Sequence, residues 1–171
     1  MKQLTIYRIL TYILIPVACF FGLMGFLILI PAIGNPPMWF MLFMFASLVI
    51  YTFSSLKFLS NGIERNIPCK TSLRDWIRVN AFVCLGMGAL FFLNAVGIFT
   101  LGPVALQDFV ERAMESQPNL PEGINSGFFV SILRGVAGFM LVVSILILVH
   151  VILGFKMLKK FGHLFGQSTL S

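Results

Sequence analysis

The sequence predicts an all-helical membrane protein, an antiparallel bundle of four transmembrane helices with a short interfacial helix in the second outer loop. Hydrophobic residues make up 58% of the chain and charged residues only 11%. The mean hydropathy is +0.97, which lies outside the range of soluble domains. The apolar residues fall in four long stretches, each near the roughly 20 residues that a helix needs to cross hydrocarbon. Because these stretches are apolar all round, without the period of two that barrel strands show, helices are expected.

Polar segments separate the four predicted spans. The spans cover residues 9–30, 38–59, 79–101 and 127–155, with a cytoplasmic loop at 60–78 and an outer loop at 102–126, all in one integral membrane domain over 1–171. The first span has an alternative interpretation, because Lys2 and Arg8 ahead of an apolar run also describe a secretory signal peptide. Its apolar run is longer than the about 7–15 residues of such a peptide, so we expect it to remain as a helix.

The basic residues predict the orientation in the membrane. Ten of the 12 lysines and arginines lie in the amino-terminal tail, around the loop at 60–78, or at the carboxy-terminal end. Only Arg112 and Arg134 lie on the other side, so the positive-inside rule predicts that both termini are cytoplasmic. Short loops and tails favour a bacterial inner membrane. The net charge of +6 is explained by topology and by anionic lipid, and nucleic-acid binding is not expected without a folded basic module.

Turn-forming residues predict how the spans are joined. Gly34 and the prolines around it predict a tight turn after the first span, and a proline suits the first position of the second helix. The second helix is predicted to end at Asn61 and Gly62, where glycine would take a left-handed cap conformation, and the third to begin at Ser72. Tyr7 is expected at the inner interface, where rings with one polar end are enriched.

The outer loop contains an amphipathic pattern. After Pro103, apolar residues recur at helical spacing, namely Leu106, Phe109, Val110 and Ala113. The opposite face carries the acids Asp108, Glu111 and Glu115. This pattern is typical of a helix that lies flat at a membrane interface. One interpretation is a lid over the outer end of the bundle, and the other is a docking surface for a partner or a cationic ligand.

Four polar residues within the spans are candidate functional positions, because polar groups in hydrocarbon cost free energy unless they are paired. They are Arg134, Asn94, Asn80 and His150. Arg134 is expected to reach outward and pair with Glu111 or Glu115, the alternatives being an anion or substrate path and a partner contact. The two asparagines are expected on the bundle-facing stripe of the third helix, where they pack or bind a solute. For His150 we expect ordinary packing, although one imidazole near the cytoplasmic end also suits proton transfer.

No catalytic, cofactor-binding or metal-ligating constellation is predicted. Cys19, Cys69 and Cys84 lack C-x-x-C spacing, so we expect reduced thiols. Neither the H-E-x-x-H pattern of metalloproteases nor the G-x-S-x-G pattern of serine hydrolases occurs. The leading hypothesis is therefore a non-enzymatic accessory or scaffold subunit, which acts in the lipid bilayer through contacts in a homo-oligomer or with other membrane proteins. The alternative hypothesis is a small-solute transporter or channel subunit that acts as an oligomer.

Overall fold

The computed structural model describes residues 2–116 and 125–165, and within them the chain forms helices and turns but no strand. In this part of the chain five α-helices follow one another: α1 (Lys2–Ile28), α2 (Pro36–Lys57), α3 (Thr71–Thr100), α4 (Pro103–Glu115) and α5 (Ser126–Lys160). A π-helical segment, Phe58–Glu64, continues α2, and a short 3-10 helix covers Gly162–Phe165. The all-helical fold class is confirmed.

Four of the described helices are long and apolar enough to cross a membrane. They cover Lys2–Ile28, Pro36–Glu64, Thr71–Thr100 and Ser126–Lys160. Large apolar side chains along them are exposed, for example Phe26 at 73%, Leu93 at 65% and Val142 at 67%. Water would disfavour so much exposed apolar surface, whereas lipid accepts it. The chain therefore has the make-up of a multi-pass membrane protein.

The helices are longer than the apolar runs that predicted them. α1 begins at Lys2 rather than at 9, and α5 continues to Lys160 rather than to 155. α3 begins at Thr71, within one residue of the start predicted at Ser72 and well before the apolar run at 79. An apolar run marks only the part of a helix that lipid covers, while the backbone hydrogen bonds continue into the polar turns on either side. The predicted loop at 60–78 shrinks as a result to residues 65–70. Residues 117–124 of the predicted outer loop lie outside the described residues.

The predicted end of the second helix at Gly62 is wrong. The chain stays helical through Glu64, and the residue with a left-handed backbone is Asn66, whose φ is 54°. Gly62 is instead needed for close approach, because a Cβ there would lie 3.0 Å from the Cys69 sulfur and 3.1 Å from a ring carbon of Phe58. The glycine signal in the sequence was real, but it reflected packing rather than a helix cap.

The predicted turn chemistry at two other connections is confirmed. Gly34 has a φ of 85°, a conformation that side chains disfavour, and α2 begins immediately afterwards with a proline in its first turn. α4 begins in the same way at Pro103. In both places the missing proline N–H costs nothing, since the first N–H groups of a helix have no acceptor within it.

The chain divides into two compact units, which are described separately. The first consists of Met1–Gly88 and Leu146–Ser171, and the second of Ala89–Ile145. In the first unit α1 packs against α2, where Val49 approaches Gly22 to within 3.2 Å of the position a Cβ would take. The buried residues of the second unit include Ala95, Leu106, Val110, Ala137 and Val143.

Candidate functional site

A cluster of buried polar side chains surrounds His150 in the first unit. Each of three helices contributes two residues four positions apart, which places both on one face of that helix. These are Tyr7 and Thr11 of α1, Tyr51 and Ser55 of α2, and His150 and Gly154 of α5. The five residues with side chains are all 0% exposed. Tyr7 was predicted at the inner interface; its ring is completely buried among protein side chains and does not face head groups. We call these six residues the His150 cluster.

Both ring nitrogens of His150 are hydrogen-bonded. The Nε2 atom lies 2.9 Å from Thr11 Oγ1, and the Nδ1 atom lies 2.8 Å from the hydroxyl of Tyr51. Thr11 has one hydroxyl hydrogen, which it donates to the carbonyl oxygen of Tyr7 at 2.7 Å. Thr11 must therefore accept from Nε2–H, and Nδ1 then accepts the hydrogen of the Tyr51 phenol. The hydrogen count thus indicates a neutral imidazole with its proton on Nε2.

Two tyrosine rings and a glycine fix the position of the imidazole. The Tyr7 ring stacks on it at a centroid distance of 4.9 Å and an interplanar angle of 20°, and the Tyr51 ring meets it edge-on at 5.4 Å. Gly154 makes room for the tyrosines, because a Cβ there would lie 3.0 Å from the Tyr51 hydroxyl and 3.8 Å from a ring carbon of Tyr7. Hydrogen bonds and ring packing therefore act together to hold α1, α2 and α5.

Two hydroxyls of the cluster differ from the rest. Among the described residues, the Tyr7 hydroxyl and Ser55 Oγ are buried without a hydrogen-bond partner. The Ser55 side chain lies near both phenols, but it forms no hydrogen bond of standard geometry with either. A buried hydroxyl without a partner loses its hydration and gains nothing in return. The two phenols of the cluster are consequently unequal in what they contribute to stability.

This difference gives a paired prediction. Tyr51→Phe removes the donor to His150 Nδ1 and leaves a buried acceptor unsatisfied, so we expect a loss of about 1 kcal/mol. Tyr7→Phe keeps the ring that stacks on the imidazole and removes only the unpartnered hydroxyl, so we expect no loss of stability. Thermal unfolding of the two variants in one detergent measures the difference. Equal losses for both would contradict the hydrogen-bond assignment.

The cluster has the character of a helix-to-helix connection. Among the described residues there is no group of three or more His, Cys, Asp or Glu side chains that could hold a metal ion. Every nitrogen of the His150 ring already has a partner from another helix. Hydrogen bonds between membrane helices contribute on average about 0.6 kcal/mol each. The arrangement therefore supports the packing expected for His150 and adds a specific network that the sequence did not predict.

The two asparagines lie in different environments, although both were predicted on the bundle-facing stripe. Asn80 is 5% exposed, and its Nδ2 donates to the Trp76 carbonyl at 2.8 Å. Asn94 is exposed and donates to Leu90 of its own helix at 2.8 Å. The buried position beside it is Ala95. Asn80 is therefore buried as predicted, whereas at the second position Ala95 is buried in place of Asn94.

Arg134 is exposed, and the predicted pair with Glu111 or Glu115 is not formed in the described part of the chain. The reason is the face of α5 on which it lies. The residues of α5 that share a groove with α4 are Phe129, Ile132, Leu133 and Val136. They follow helical spacing along one face, and at 100° per residue Arg134 lies on nearly the opposite face. Arg112 on α4 is exposed as well.

A groove lies between α4 and α5 in the second unit. It has a volume of about 290 Å³ and a lining of apolar side chains. From α4 the lining residues are Phe109, Val110, Ala113 and Met114. The predicted amphipathic pattern is confirmed in part, because Leu106 and Val110 are buried while Phe109 remains 58% exposed. The acids Asp108, Glu111 and Glu115 are exposed along the rest of α4.

Sequence reasoning identified His150 but missed its partners. One available signal was the repeated i, i+4 pairing of hydroxyl residues, at Tyr7 and Thr11 and again at Tyr51 and Ser55. Both pairs lie near the basic ends of apolar stretches, as His150 does. The sequence could not show which face of each helix points into the bundle, because a span that is apolar on all sides has no amphipathic face.

No protein-family model, curated protein or solved structure matches this chain.

Proposed function

We propose that this chain is a non-catalytic accessory or scaffold subunit of an inner-membrane complex. In this proposal the groove between α4 and α5 binds a basic, amphipathic segment of another membrane protein. The observation that carries the proposal is the groove itself, an apolar surface of about 290 Å³ beside a face of exposed acids. Exposed apolar surface rimmed by charged residues is typical of protein interaction sites.

The length of α5 supports a groove that partners can reach. Its 35 residues extend about 52 Å at 1.5 Å per residue, whereas the hydrocarbon core is about 30 Å thick. We place the inner boundary of the hydrocarbon at Lys156, where the basic end of α5 begins. About 20 residues of helix cross the hydrocarbon, so its outer boundary then lies near residue 136. The groove residues Phe129, Ile132 and Leu133 would then lie at the outer interface. A partner segment could bind there without entering the lipid core.

Charge complementarity identifies the chemistry of the partner. Asp108, Glu111 and Glu115 are exposed, and none of them forms an ion pair within the described part of the chain. Glu111 accepts one hydrogen bond from the neutral Gln107 at 3.0 Å. With three acids against the single cation Arg112, α4 keeps a net charge of −2. Opposite charges at the rim of an interface steer association and select the partner. A segment with lysines or arginines beside an apolar face matches this surface.

The proposed orientation has both termini and the loop at 65–70 in the cytoplasm. It rests on the positive-inside rule, because ten of the 12 basic residues fall in the first unit. The second unit contains only Arg112 and Arg134. The groove therefore lies on the outer side in this proposal, where the partner is also expected.

A transporter or channel subunit remains the second candidate, and the buried histidine favours it. That function would need His150, Asn80, Asn94 and Arg134 to line a path. Yet His150 has both nitrogens filled, and each asparagine bonds to the backbone of its own helix. These contacts leave no free nitrogen on the His150 ring, and each asparagine already uses one amide hydrogen within its own helix. The accessory-subunit proposal is therefore better supported.

Photo-crosslinking in intact cells tests the docking proposal. Benzoylphenylalanine at Phe109 is expected to give a discrete adduct with another membrane protein. The same probe at Phe26, an exposed phenylalanine of α1 far from the groove in sequence, is the matched control and is expected to give none. Neutralising the acids together, as Asp108→Asn, Glu111→Gln and Glu115→Gln, should reduce the adduct severalfold. Asp75→Asn, a charge change in the first unit, should leave it unchanged.

The sequence of the crosslinked peptide shows whether the partner segment is basic, as the exposed acids of α4 predict. A peptide with lysines or arginines beside apolar residues supports the proposal. An adduct that forms equally from Phe26, or that survives neutralisation of the three acids unchanged, contradicts it. An adduct made only with a second copy of this chain would also contradict it, and would favour a homo-oligomer.

A further inference from the structure

A second cavity lies at the basic end of the first unit, where the connection between α2 and α3 folds over the helix ends. Its volume is about 470 Å³. The end of α2 and its π-helical continuation form one wall, the loop at 65–70 forms another, and the first turns of α3 close it. Three cations, Lys57, Arg65 and Lys70, line this cavity together with apolar residues and Trp76. Its lining contains no acidic residue.

The backbone around this cavity is held by specific bonds. The N–H of Ile67 donates to the carbonyl of Asn61 at 3.0 Å, and the N–H of Cys69 donates to the carbonyl of Leu164 at 2.8 Å. The 3-10 helix that contains Leu164 is fastened in turn by the stacked rings of Phe58 and Phe165, 5.1 Å apart. A π-helical segment and a left-handed Asn66 complete the connection. Both features are uncommon and are often found at functional sites.

The charged residues that line the cavity are all positive. Within the described residues, none of Lys57, Arg65 and Lys70 forms an ion pair. The two acids nearby in sequence are engaged elsewhere, because Glu64 pairs with Arg8 at 2.8 Å and Asp75 lies 3.6 Å from Arg74. Burial raises the pKa of the Cys69 thiol, although the Lys57 ammonium acts in the opposite direction, so this thiol supplies no negative charge at neutral pH.

We propose that this cavity binds the phosphate head group of an anionic phospholipid. A phosphate would supply the negative charge that the three cations lack, and Arg and Lys are the side chains that bind phosphate best. A soluble phosphorylated molecule has the same chemistry, but the apolar part of the lining favours the lipid. Trp76 is 56% exposed and Ile67 47% exposed, and Leu73 lies beside them. Tryptophan is enriched at the level of lipid head groups.

Native mass spectrometry of the detergent-purified full chain tests the proposal, with phosphatidylglycerol and phosphatidylcholine added in equal amounts. The wild-type chain is expected to retain phosphatidylglycerol preferentially. Lys57→Gln, Arg65→Gln and Lys70→Gln together should weaken this retention at least about tenfold, because each cation near an anionic head group contributes about fivefold. The matched control is Lys156→Gln, Lys159→Gln and Lys160→Gln, an equal change of charge outside the cavity lining. The control should keep the wild-type retention within about twofold.

Further measurements distinguish a lipid phosphate from a soluble phosphate and show whether a variant is still folded. Inorganic phosphate and glycerol 1-phosphate at millimolar concentration should not displace the bound lipid. If either displaces it fully, the site takes a soluble phosphate and the lipid proposal fails. If the cavity variant and the control lose equal amounts of lipid, the binding is nonspecific surface attraction and the proposal also fails. Trp76→Leu, which keeps all three cations, should weaken lipid retention while leaving the melting temperature unchanged.

Discussion

His150→Ala is expected to lower the free energy of unfolding by about 3 kcal/mol, the largest effect of any single substitution considered. A fully buried side chain is lost, and large-to-small changes in close-packed interiors cost about 2–5 kcal/mol. The Tyr51 hydroxyl and Thr11 Oγ1 also lose their bonds at 2.8 and 2.9 Å. The Tyr7 ring loses the surface on which it stacks. Several kinds of contact therefore disappear with one side chain.

Thermal unfolding reported by a thiol-reactive dye measures this loss, because the buried Cys84 becomes accessible as the helices separate. By the scaling known for chains of similar length, about 3 kcal/mol corresponds to a drop of about 6–12 °C. His150→Gln keeps one donor and one acceptor and should fall between alanine and wild type. His163→Ala changes an exposed histidine of the 3-10 helix and is the control. Equal melting temperatures for the two alanine variants would show that the cluster contributes nothing.

Gly154→Val is expected to cost about 2 kcal/mol, because overpacking a filled interior costs about 1–3 kcal/mol. Its Cβ would lie 3.0 Å from the Tyr51 hydroxyl. That hydroxyl cannot easily retreat, since it is bonded to His150 Nδ1 at 2.8 Å. Gly135→Val in the same helix is the matched control, because nothing lies within 4 Å of a Cβ at that position. The control should leave the melting temperature nearly unchanged.

A double substitution shows whether the Tyr51 hydroxyl is the obstacle. In a Tyr51→Phe background the closest atom to the new Cβ is gone, so Gly154→Ala should cost less there than in the wild-type chain. Residues in direct contact show such non-additivity, whereas distant residues do not. Strict additivity of the two substitutions would mean that the cost of the alanine arises elsewhere.

The helical content could be predicted from the sequence because the thickness of hydrocarbon fixes the length of an apolar run. The ends could not be predicted in the same way. Lys2 and Lys160 are charged and lie beyond the apolar runs, yet both belong to helices. Gly62 shows a different limit, since the sequence cannot distinguish a glycine that caps a helix from one that admits the Cys69 sulfur.

The candidate sites, like the helices, could be predicted from the sequence only in part. The amphipathic pattern of α4 was visible because its polar and apolar residues alternate with the helical period. The contact between Thr11 and His150 was not visible, because 139 residues separate them and both lie in stretches with no polar face. Arg134 was assigned the wrong partner for a related reason. The position of Arg134 along α5 is known from the sequence. The direction of its side chain relative to α4 depends on which face of α5 packs against α4.

The proposed docking of a basic partner is tested most directly by the composition of the native particle. The chain would be extracted in native lipid discs through a carboxy-terminal tag, and the intact particle weighed and its proteins identified. We expect a second membrane protein in fixed stoichiometry, present with the wild-type chain and lost when Asp108, Glu111 and Glu115 are neutralised. A particle that contains only copies of this chain, with a mass unchanged by neutralising those acids, would contradict it.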